Sequence, residues 1–545
     1  MHSTMMDTPL VLSSIMNFAE KVYGTSEIVS VTADNPLHRY TYSDAFKRVR
    51  KLGNALNAMG AKLGDTIGTL AWNDYRHFEM YYALAASGMV CHTVNPRLFE
   101  DQLEFIINHG EDKWLFLDIA FVGLVEKIQD KLPNVQGFII LTNEANMPKQ
   151  TSLRNVACYE SLLDAQNEDI DWPEFGENHP VAMCYTSGTT GNPKGVVYSH
   201  RSTVLHAYAS ALPDTLGISV QDVVMPIVPM FHVNGWGLVY SAPMVGAKMV
   251  MPGPKMGDGE TICSLINGEN VTISAAVPTV WLALINHLEK TGGDVESLKR
   301  VTVGGAACPL SIMTTLKDKY GVEVRHAWGM TETSPLGTYN TFKPKMDSWT
   351  EEERNAVRVK QGRPIYGIEV KIVDDNNKEL PWDGVASGAV KVRGPWVTGS
   401  YYKLDKKATD EDGWFETGDV ASMDSEGYMQ ITDRTKDVIK SGGEWISSIE
   451  LENCAMNHPK IEEAAVIGVY HPKWTERPLL LAIVKAGETI TKEEMLAWFE
   501  GKVAKWCQPS ACEFVDSLPH TATGKLSKKD MRAQFENYQW PDESA

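Results

Sequence analysis

The chain has 545 residues, of which 43% are hydrophobic and 22% charged, a composition typical of a globular protein with a large core. Its 51 basic and 70 acidic residues give a formal net charge of −19, which disfavours non-specific binding of nucleic acid or of an anionic membrane surface. No apolar run approaches the ~18 residues that span a bilayer, and the eight cysteines include no CxxC pair, which argues against a zinc ribbon, a redox dithiol or a disulfide framework. Residues 1–18 lack a basic segment, and their apolar residues are interrupted by Asp7. We therefore expect no signal peptide and a cytoplasmic protein.

The middle of the chain alternates short apolar runs with amphipathic segments. Helices are predicted over 202–212, 278–288 and 309–320, and strands over 181–185, 223–228, 248–251, 271–277, 301–303 and 322–326. Such alternation indicates βαβ units and a mostly parallel, doubly wound sheet. Because ligands of these sheets bind beyond the carboxyl ends of the strands, the loops after Tyr185 and His326, rich in Gly, Ser and Thr, are the predicted site.

The pattern changes after about residue 334. Short strands over 370–373, 388–392 and 428–432, set among Gly and Pro turns, predict a small β-rich unit. Beyond the charged segment 433–443 the chain predicts helices over 449–457, 492–505 and 528–535, and strands over 464–469, 479–484 and 512–514. These elements suffice for a separate α+β domain of roughly a hundred residues.

The most informative segment is 185–195, Tyr-Thr-Ser-Gly-Thr-Thr-Gly-Asn-Pro-Lys-Gly. Its glycines permit close backbone approach, and its remaining side chains supply four hydroxyls and one cation: Thr186, Ser187, Thr189, Thr190 and Lys194. Successive N–H groups with hydroxyls and a cation form an anion-binding nest suited to a polyphosphate. A Walker A loop places its Lys directly before Ser or Thr, whereas Lys194 lies between Pro193 and Gly195, so that interpretation fails. The other alternative, a polar surface turn, does not account for so many such residues after a buried strand.

Together with five further motifs, this loop resembles the signature of the adenylate-forming acyl-CoA synthetases and their relatives, the luciferases and peptide-synthetase adenylation domains. The motifs are Trp328-Gly-Met-Thr-Glu332, Thr417-Gly-Asp419, Asp433-Arg-Thr-Lys436, Lys440-Ser-Gly-Gly-Glu-Trp445 and Thr523-Gly-Lys525. The resemblance covers essentially the whole chain. It implies an α/β fold with a β-barrel subdomain: a large N-terminal domain (1–433) containing two stacked α/β subdomains, and a small mobile α+β C-terminal domain (434–545).

For the nucleotide, the resemblance implies ATP and Mg²⁺. It places Trp328 on the adenine with Gly304, Gly305 and Ala306 opposite, Thr331 on the α-phosphate, and Asp419 on the ribose hydroxyls, with Arg434 nearby. It also implies that Glu332 and Thr186 are the metal ligands and belong to the catalytic residues. The remaining implied nucleotide contacts are Ser187, Gly188, Thr189, Thr190, Lys194, His326, Ala327, Gly329 and Met330. The simpler alternatives are a solvated loop carboxylate for Glu332 and a solvated linker side chain for Arg434.

The implied reaction has two steps, in which a carboxylate and ATP give an acyl-adenylate and pyrophosphate, and the thiol of coenzyme A then displaces AMP. Lys525 resembles the catalytic lysine of the first step, which lies between carboxylate and α-phosphate. Lys436 resembles the hinge about which the small domain rotates between steps. Lys440, Gly442, Gly443 and Trp445 resemble the segment that receives coenzyme A.

The segment 229–237, Pro-Met-Phe-His-Val-Asn-Gly-Trp-Gly, resembles the acyl pocket of fatty-acyl-CoA synthetases. It implies that His232 lies near the acyl carboxylate, in the catalytic site, and that Trp236 and Gly305 line the pocket. The alternatives are that His232 is a structural histidine and that Trp236 packs in the core. We expect a short- or medium-chain or methylthio-alkanoate substrate such as 3-(methylthio)propionate.

Four alternatives remain open. They are a long-chain fatty-acyl-CoA synthetase, an adenylating enzyme with a carrier-protein or oxygen acceptor, a phosphotransferase releasing ADP, and a nucleotide-binding homologue without activity. The Walker mismatch opposes the third, and the joint presence of Lys194, Glu332, Asp419 and Lys525 opposes the fourth. The expected partners are a small carboxylic acid and coenzyme A, with no nucleic acid and no membrane-spanning segment, in a homodimer.

Overall fold

The computed structural model describes residues 3–186, 192–434, 436–441, 444–520 and 526–541, with backbone alone at 440, 444 and 445. The helices in these ranges are α1 Leu12–Tyr23, α2 Tyr42–Ala58, α3 Tyr75–Ala86, α4 Glu100–His109, α5 Val122–Ile128, α6 Tyr159–Asp164, α7 His200–Ala211, α8 Leu238–Val245, α9 Gly259–Glu269, α10 Pro278–Thr291, α11 Leu310–Tyr320, α12 Glu351–Arg358, α13 Ser448–Met456, α14 Lys492–Ala497 and α15 Lys528–Gln534.

The strands in the same ranges are β1 Glu27–Ser30, β2 His38–Thr41, β3 Thr66–Leu70, β4 Val90–Thr93, β5 Trp114–Leu117, β6 Phe138–Ile140, β7 Val156–Cys158, β8 Pro180–Thr186, β9 Lys194–Ser199, β10 Val223–Pro226, β11 Lys248–Met251, β12 Ile273–Ala276, β13 Arg300–Val303, β14 Glu323–Gly329, β15 Leu336–Tyr339, β16 Arg363–Pro364, β17 Glu369–Val373, β18 Ser387–Arg393, β19 Phe415–Met423, β20 Met429–Arg434, β21 Ile439–Ser441, β22 Glu444–Ile446, β23 Ile461–His471, β24 Thr475–Val484 and β25 Ala511–Phe514.

Two large sheets form the N-terminal part of the fold. A seven-stranded sheet has the order β7-β6-β5-β3-β4-β8-β9 and is parallel except at β8–β9. A nine-stranded sheet has the order β16-β15-β14-β13-β12-β10-β11-β1-β2 and is parallel from β14 to β1. The prediction of mostly parallel sheets is therefore confirmed. Five of the seven strands of the first sheet, β3 to β7, come from residues before 180, for which the sequence analysis makes no prediction.

Helix α3 lies between the two sheets and explains why they stack. All twelve of its residues are buried, and it contacts β4 and β8 of one sheet and β1 of the other. Two of its tyrosines also bind the backbone of residues 230–239. The Tyr82 hydroxyl donates to Val239 O at 2.9 Å, and the Tyr81 hydroxyl donates to Met230 O. Asp74 caps the start of the helix, because its carboxylate accepts hydrogen bonds from the N–H groups of Arg76 and His77.

Two smaller units follow in the chain. Strands β17 to β20 form an antiparallel sheet in sequence order, where the β-rich subdomain was predicted. Beyond it, β22-β21-β24-β23 form a sheet to which β25 adds in parallel, and α13 to α15 pack on it, as the predicted α+β unit requires. The predicted helix over 492–505 is wrong in length, because α14 ends at Ala497 and Gly501 adopts a left-handed φ of 71°.

Two expectations about composition can be compared with the structure. All eight cysteines are free thiols, which agrees with the absence of a disulfide framework. Among the residues that the structure describes, no helix has both the length and the apolar character needed to cross a membrane.

A buried charge cluster joins the two sheets. Arg76 is 3% exposed and donates to both carboxylate oxygens of Asp34, which follows β1, at 2.9 and 3.1 Å. Its Nε donates to Glu160 in α6 at 2.8 Å. Burial raises the pKa of Asp34, but hydrogen bonds from Arg76, Thr32 and Thr142 outweigh it and lower the pKa to about 2.

Replacing Arg76 should therefore destabilise the fold strongly. We expect Arg76→Met to cost about 3–5 kcal/mol, because it leaves buried carboxylates unpaired. In the wild type, the contribution of Asp34 is present above its unfolded pKa of 3.8 and is lost as the pH falls from there toward 2. Urea-induced unfolding across this pH range measures both effects. Lys127→Met, at an exposed ion pair with Glu100, is the control and should cost less than about 1 kcal/mol. Equal losses in the two variants would contradict the assignment.

Candidate active site

The phosphate loop joins two antiparallel strands. Thr186 ends β8 and Lys194 begins β9, and the two residues face each other across the hairpin, as do Tyr185 and Gly195. The sequence predicted a strand and a loop here but missed β9. The hairpin closes the loop at its base and so brings a hydroxyl and a cation together. Of the predicted loop residues, Ser187, Gly188, Thr189 and Thr190 lie outside the described residues.

Glu332 is a buried carboxylate beside this hairpin. It lies in a 3₁₀ turn, Thr331–Thr333, that follows β14, and it is 5% exposed. Tyr401 donates its hydroxyl hydrogen to Glu332 Oε1 at 2.8 Å, and the Lys194 ammonium lies 4.8 Å from the centroid of the Tyr401 ring. Burial raises the pKa of Glu332, which the hydrogen bond from Tyr401 and the charges of Lys194 and Arg434 oppose. The structure thus places the two predicted residues Lys194 and Glu332 on either side of Tyr401, a residue that the sequence analysis did not single out.

Thr331, predicted to contact the α-phosphate, is buried in the same turn. Its carbonyl oxygen accepts a hydrogen bond from the Tyr198 hydroxyl at 2.8 Å. Because Tyr198 belongs to β9, the turn that carries Thr331 and Glu332 is attached to the strand that carries Lys194.

Trp328, Asp419 and Arg434 form a second cluster. The Trp328 indole N–H donates to Asp419 Oδ2 at 2.8 Å, and Arg434 Nε lies 3.4 Å from Asp419 Oδ1. Asp419 and Arg434 face each other on β19 and β20, whereas Trp328 comes from β14 of the nine-stranded sheet. Trp328 is 7% exposed and lies over Gly337, where an added Cβ would come within 2.4 Å of the ring. Three residues predicted to bind the nucleoside are therefore in contact.

The loop after β13 approaches this cluster from another side. A Cβ added at Gly304 would lie 2.9 Å from Cη2 of Trp236 and 3.2 Å from Ala327 O. His326 is buried, with one ring nitrogen 2.9 Å from Val359 O and the other 3.4 Å from Ala306 O. The His326 side chain thus holds the loop 304–306 in place rather than facing solvent. Position 329 must also be glycine, because a Cβ there would clash with Pro335 O.

The predicted acyl segment has an unusual backbone. Residues 233–237 all have left-handed φ values between 46° and 76°, including the β-branched Val233. Such conformations cost of order 1–3 kcal/mol for each non-glycine residue and persist only where the surroundings enforce them. Asn73 fixes the chain just before this stretch, by accepting from Met230 N at 2.7 Å and donating to Pro226 O and Val228 O. The segment thereby brings Trp236, half-buried, against Gly304, and His232 lies half-buried on the same loop.

The C-terminal residues of the predicted site are only partly described. Lys436 is exposed in the turn between β20 and β21. Lys440 and Trp445 face each other in the β21–β22 hairpin. Gly442, Gly443 and Lys525 lie outside the described residues. The carboxylate of Asp433 accepts from the N–H and the hydroxyl of Ser448, both at 2.6 Å, and so attaches the first helix of this unit to the end of β20.

The donor set fits one kind of metal. Within the described ranges, no three His, Cys, Asp or Glu side chains converge as a metal site. One buried carboxylate, that of Glu332, instead suits Mg²⁺, which is commonly bound by one or two carboxylates together with substrate phosphates and water.

Sequence reasoning missed Tyr401. It follows Glu332 by 69 residues and belongs to a different subdomain, so no spacing connects the two. The only local signal is a pair of tyrosines, Tyr401 and Tyr402, in a polar connection.

Comparisons with known proteins identify the family. The AMP-binding enzyme family matches residues 18–402, and the AMP-binding enzyme C-terminal domain matches residues 450–525. The chain therefore belongs to the AMP-binding enzyme family.

Curated relatives match over nearly the full length. The chain is 50% identical over 533 residues to a 3-methylmercaptopropionyl-CoA ligase of Ruegeria lacuscaerulensis, covering 98% of each chain. It is 47% identical to a medium-chain-fatty-acid–CoA ligase of Ectopseudomonas oleovorans, covering 97% of each, and 44% identical to a long-chain-fatty-acid–CoA ligase of Thermus thermophilus, covering 98% and 97%. The predicted class, an ATP-dependent acyl-CoA synthetase that takes ATP, Mg²⁺ and coenzyme A, is confirmed.

Solved structures agree on the fold. The crystal structure of the anthranilate CoA ligase AuaEII in complex with anthranoyl-AMP matches with a TM-score of 0.85 at 24% identity, covering 97% of this chain and 98% of that one. The predicted fold class is confirmed.

The contact between Trp328 and Asp419 gives a test of the nucleoside site. Trp328→Phe keeps an aromatic face but removes the N–H that orients the carboxylate, so we expect ATP to bind about tenfold more weakly. Isothermal titration calorimetry measures this, and the difference should disappear with an ATP analogue that lacks both ribose hydroxyls. Trp382→Phe, at a partly exposed tryptophan outside the site, is the matched control. An equal loss with the analogue would show that Trp328 does not act through Asp419.

Proposed function

We propose that this chain is an AMP-forming CoA ligase for a short- or medium-chain carboxylate, with a methylthio-alkanoate such as 3-(methylthio)propionate as a candidate substrate. The observation that carries the proposal is the contact of the Trp236 indole with Gly304. This contact puts a bulky ring of the predicted acyl segment directly beside the loop 304–306, and we infer that the ring closes the acyl site to longer chains. Full-length similarity to 3-methylmercaptopropionyl- and medium-chain ligases supports the same substrate range.

In the first step, a carboxylate oxygen of the acid attacks the α-phosphorus of ATP, and the bond to pyrophosphate breaks. Asp419 holds the ribose, Lys194 and the hairpin loop hold the phosphates, and Thr331 contacts the α-phosphate. Glu332 and Thr186 would hold Mg²⁺, which when bound neutralises charge on the phosphates. Lys525 acts as a cation between the two reacting anions, an assignment that rests on its motif, Thr523-Gly-Lys525. We assign His232, on the predicted acyl segment, to the carboxylate end of the acyl site.

In the second step, the thiol of coenzyme A attacks the acyl carbon, and the bond to AMP breaks. We assign Lys440, Gly442, Gly443 and Trp445 to the approach of the thiol arm. The domain boundary lies between Asp433 and Arg434, and the smaller domain rotates at Lys436. The exposed position of Lys436 in a turn between two strands supports this hinge.

Two alternatives keep the first step. A long-chain acid is supported by the 44% identity to a long-chain ligase, and a carrier-protein thiol would replace coenzyme A. The contact of Trp236 with Gly304 favours short- and medium-chain acids over a long-chain acid. We further propose a cytoplasmic location and a homodimer. Gel filtration with light scattering tests the oligomeric state.

Carboxylate-dependent ATP–pyrophosphate exchange without coenzyme A tests the substrate range. Across acids from acetate to palmitate, with 3-(methylthio)propionate included, we expect exchange to be fastest for short or medium acids. Each methylene changes the discrimination by about 1–3 kcal/mol, so a pocket closed by Trp236 should lose activity steeply with length. A maximum at palmitate would overturn the substrate proposal, and no exchange with any acid would overturn adenylation itself.

Two lysine variants should separate the two half-reactions. Lys525→Ala should slow pyrophosphate exchange by about 10²–10³, because the transition state loses a fixed cation. Lys436→Pro should spare exchange but block thioester formation, since the ring of proline prevents the backbone rotation of a hinge. Exchange and acyl-CoA formation are measured on the same preparations. Lys529→Ala, at an exposed lysine of α15, is the control. Equal loss of both steps in Lys436→Pro would contradict the hinge.

A further inference from the structure

Tyr401 occupies a position between two residues of opposite charge. Its hydroxyl donates to Glu332 Oε1 at 2.8 Å, and the Lys194 ammonium lies 4.8 Å from its ring centroid. The first contact is a charge-assisted hydrogen bond and the second a cation–π interaction. One side chain therefore contacts both the candidate metal ligand and the candidate phosphate-binding cation.

The backbone around Tyr401 is attached on both sides. Thr398 N donates to Glu332 O at 2.8 Å, and the Ser334 hydroxyl donates to Trp396 O at the same distance. On the other side, Tyr402 N donates to Gly195 O in β9 at 2.8 Å. The segment 396–402 thus joins the turn of Glu332 to the strand of Lys194, and the Tyr401 side chain is held in register with both.

This arrangement keeps the two charges available for ligands. An ammonium and a buried carboxylate so close together would otherwise attract each other, and a direct ion pair would occupy both. Among the described residues, no ion pair joins Lys194 to Glu332. The phenol satisfies one carboxylate oxygen with a neutral donor, and its ring face holds the ammonium beside it. The second carboxylate oxygen can then face a cation, and Lys194 can face a phosphate.

We propose that Tyr401 is a positioning residue that orients Glu332 toward Mg²⁺ and Lys194 toward the phosphates of ATP. This inference rests on the proposed function. The two parts of the side chain have separate roles: the hydroxyl orients Glu332, and the ring holds the Lys194 ammonium. Tyr401→Phe removes only the hydroxyl, whereas Tyr401→Leu removes both.

The test is ATP binding by isothermal titration calorimetry, with and without Mg²⁺, in the absence of acid and of coenzyme A. In the wild type, Mg²⁺ should tighten ATP binding. Tyr401→Phe should lower that gain by about 10- to 100-fold and leave the Mg²⁺-free affinity unchanged. Tyr401→Leu should in addition weaken Mg²⁺-free binding. Tyr402→Phe, one residue further on, removes a hydroxyl that does not contact Glu332 and should match the wild type.

The outcomes distinguish the inference from the proposed function. A wild type whose ATP affinity does not respond to Mg²⁺ would overturn the proposed metal site. A wild type that responds, with Tyr401→Phe responding equally, would overturn the inference alone. An equal loss of the Mg²⁺ response in Tyr402→Phe would also overturn it, because the effect would then belong to the segment. Thermal unfolding confirms that each variant is folded, and Tyr401→Phe keeps the ring that packs in the site.

Discussion

The burial of one carboxylate, that of Glu332, is the constraint on which the site depends. A charge with so little exposure to water is stable only if hydrogen bonds and nearby charges replace its solvation. Here the Tyr401 hydroxyl supplies the bond, and Lys194 and Arg434 supply positive charge. These groups come from three different parts of the chain, so forming the site requires the subdomains to be assembled. A cation bound with phosphates would complete the compensation, which ties metal binding to substrate binding.

The nucleotide side of the site depends on a similar convergence. Trp328 reaches Asp419 from β14 of the nine-stranded sheet, while Arg434 reaches it from the neighbouring strand of the β-rich unit. Arg434 is also the last residue before the turn that contains Lys436. Asp419, the proposed ribose ligand, is thus held by one residue of the nine-stranded sheet and one at the beginning of the proposed hinge. A movement of the smaller domain would change only the second contact.

The acyl side is organised by strain rather than by charge. Five consecutive left-handed residues between His232 and Leu238 are an arrangement that no isolated peptide would favour. Buried polar groups surround it: Asn73 binds the backbone of the preceding residues 226–230, and His206 lies under Gly237. In this conformation Trp236 lies against Gly304. Pocket depth is therefore set by the packing of several elements around one loop.

The sequence by itself determined a good part of this protein. Hydrophobic periodicity predicted the parallel strands from β10 to β14 and the α+β unit, because buried strands and helix faces leave a direct pattern. The motifs predicted the phosphate loop, Glu332 and Asp419 as candidate site residues, because binding of phosphate, metal and ribose requires particular residue types at short spacing.

Tertiary structure alone decided the rest. It placed β9 antiparallel to β8, shortened α14 at Gly501, turned the indole N–H of Trp328 onto Asp419, and set Tyr401 between Lys194 and Glu332. Each of these is a contact between residues far apart in the chain or a choice among backbone conformations of similar local energy. Local pattern carries no information about such contacts, since their free energy arises only when the packed subdomains exclude water from the site.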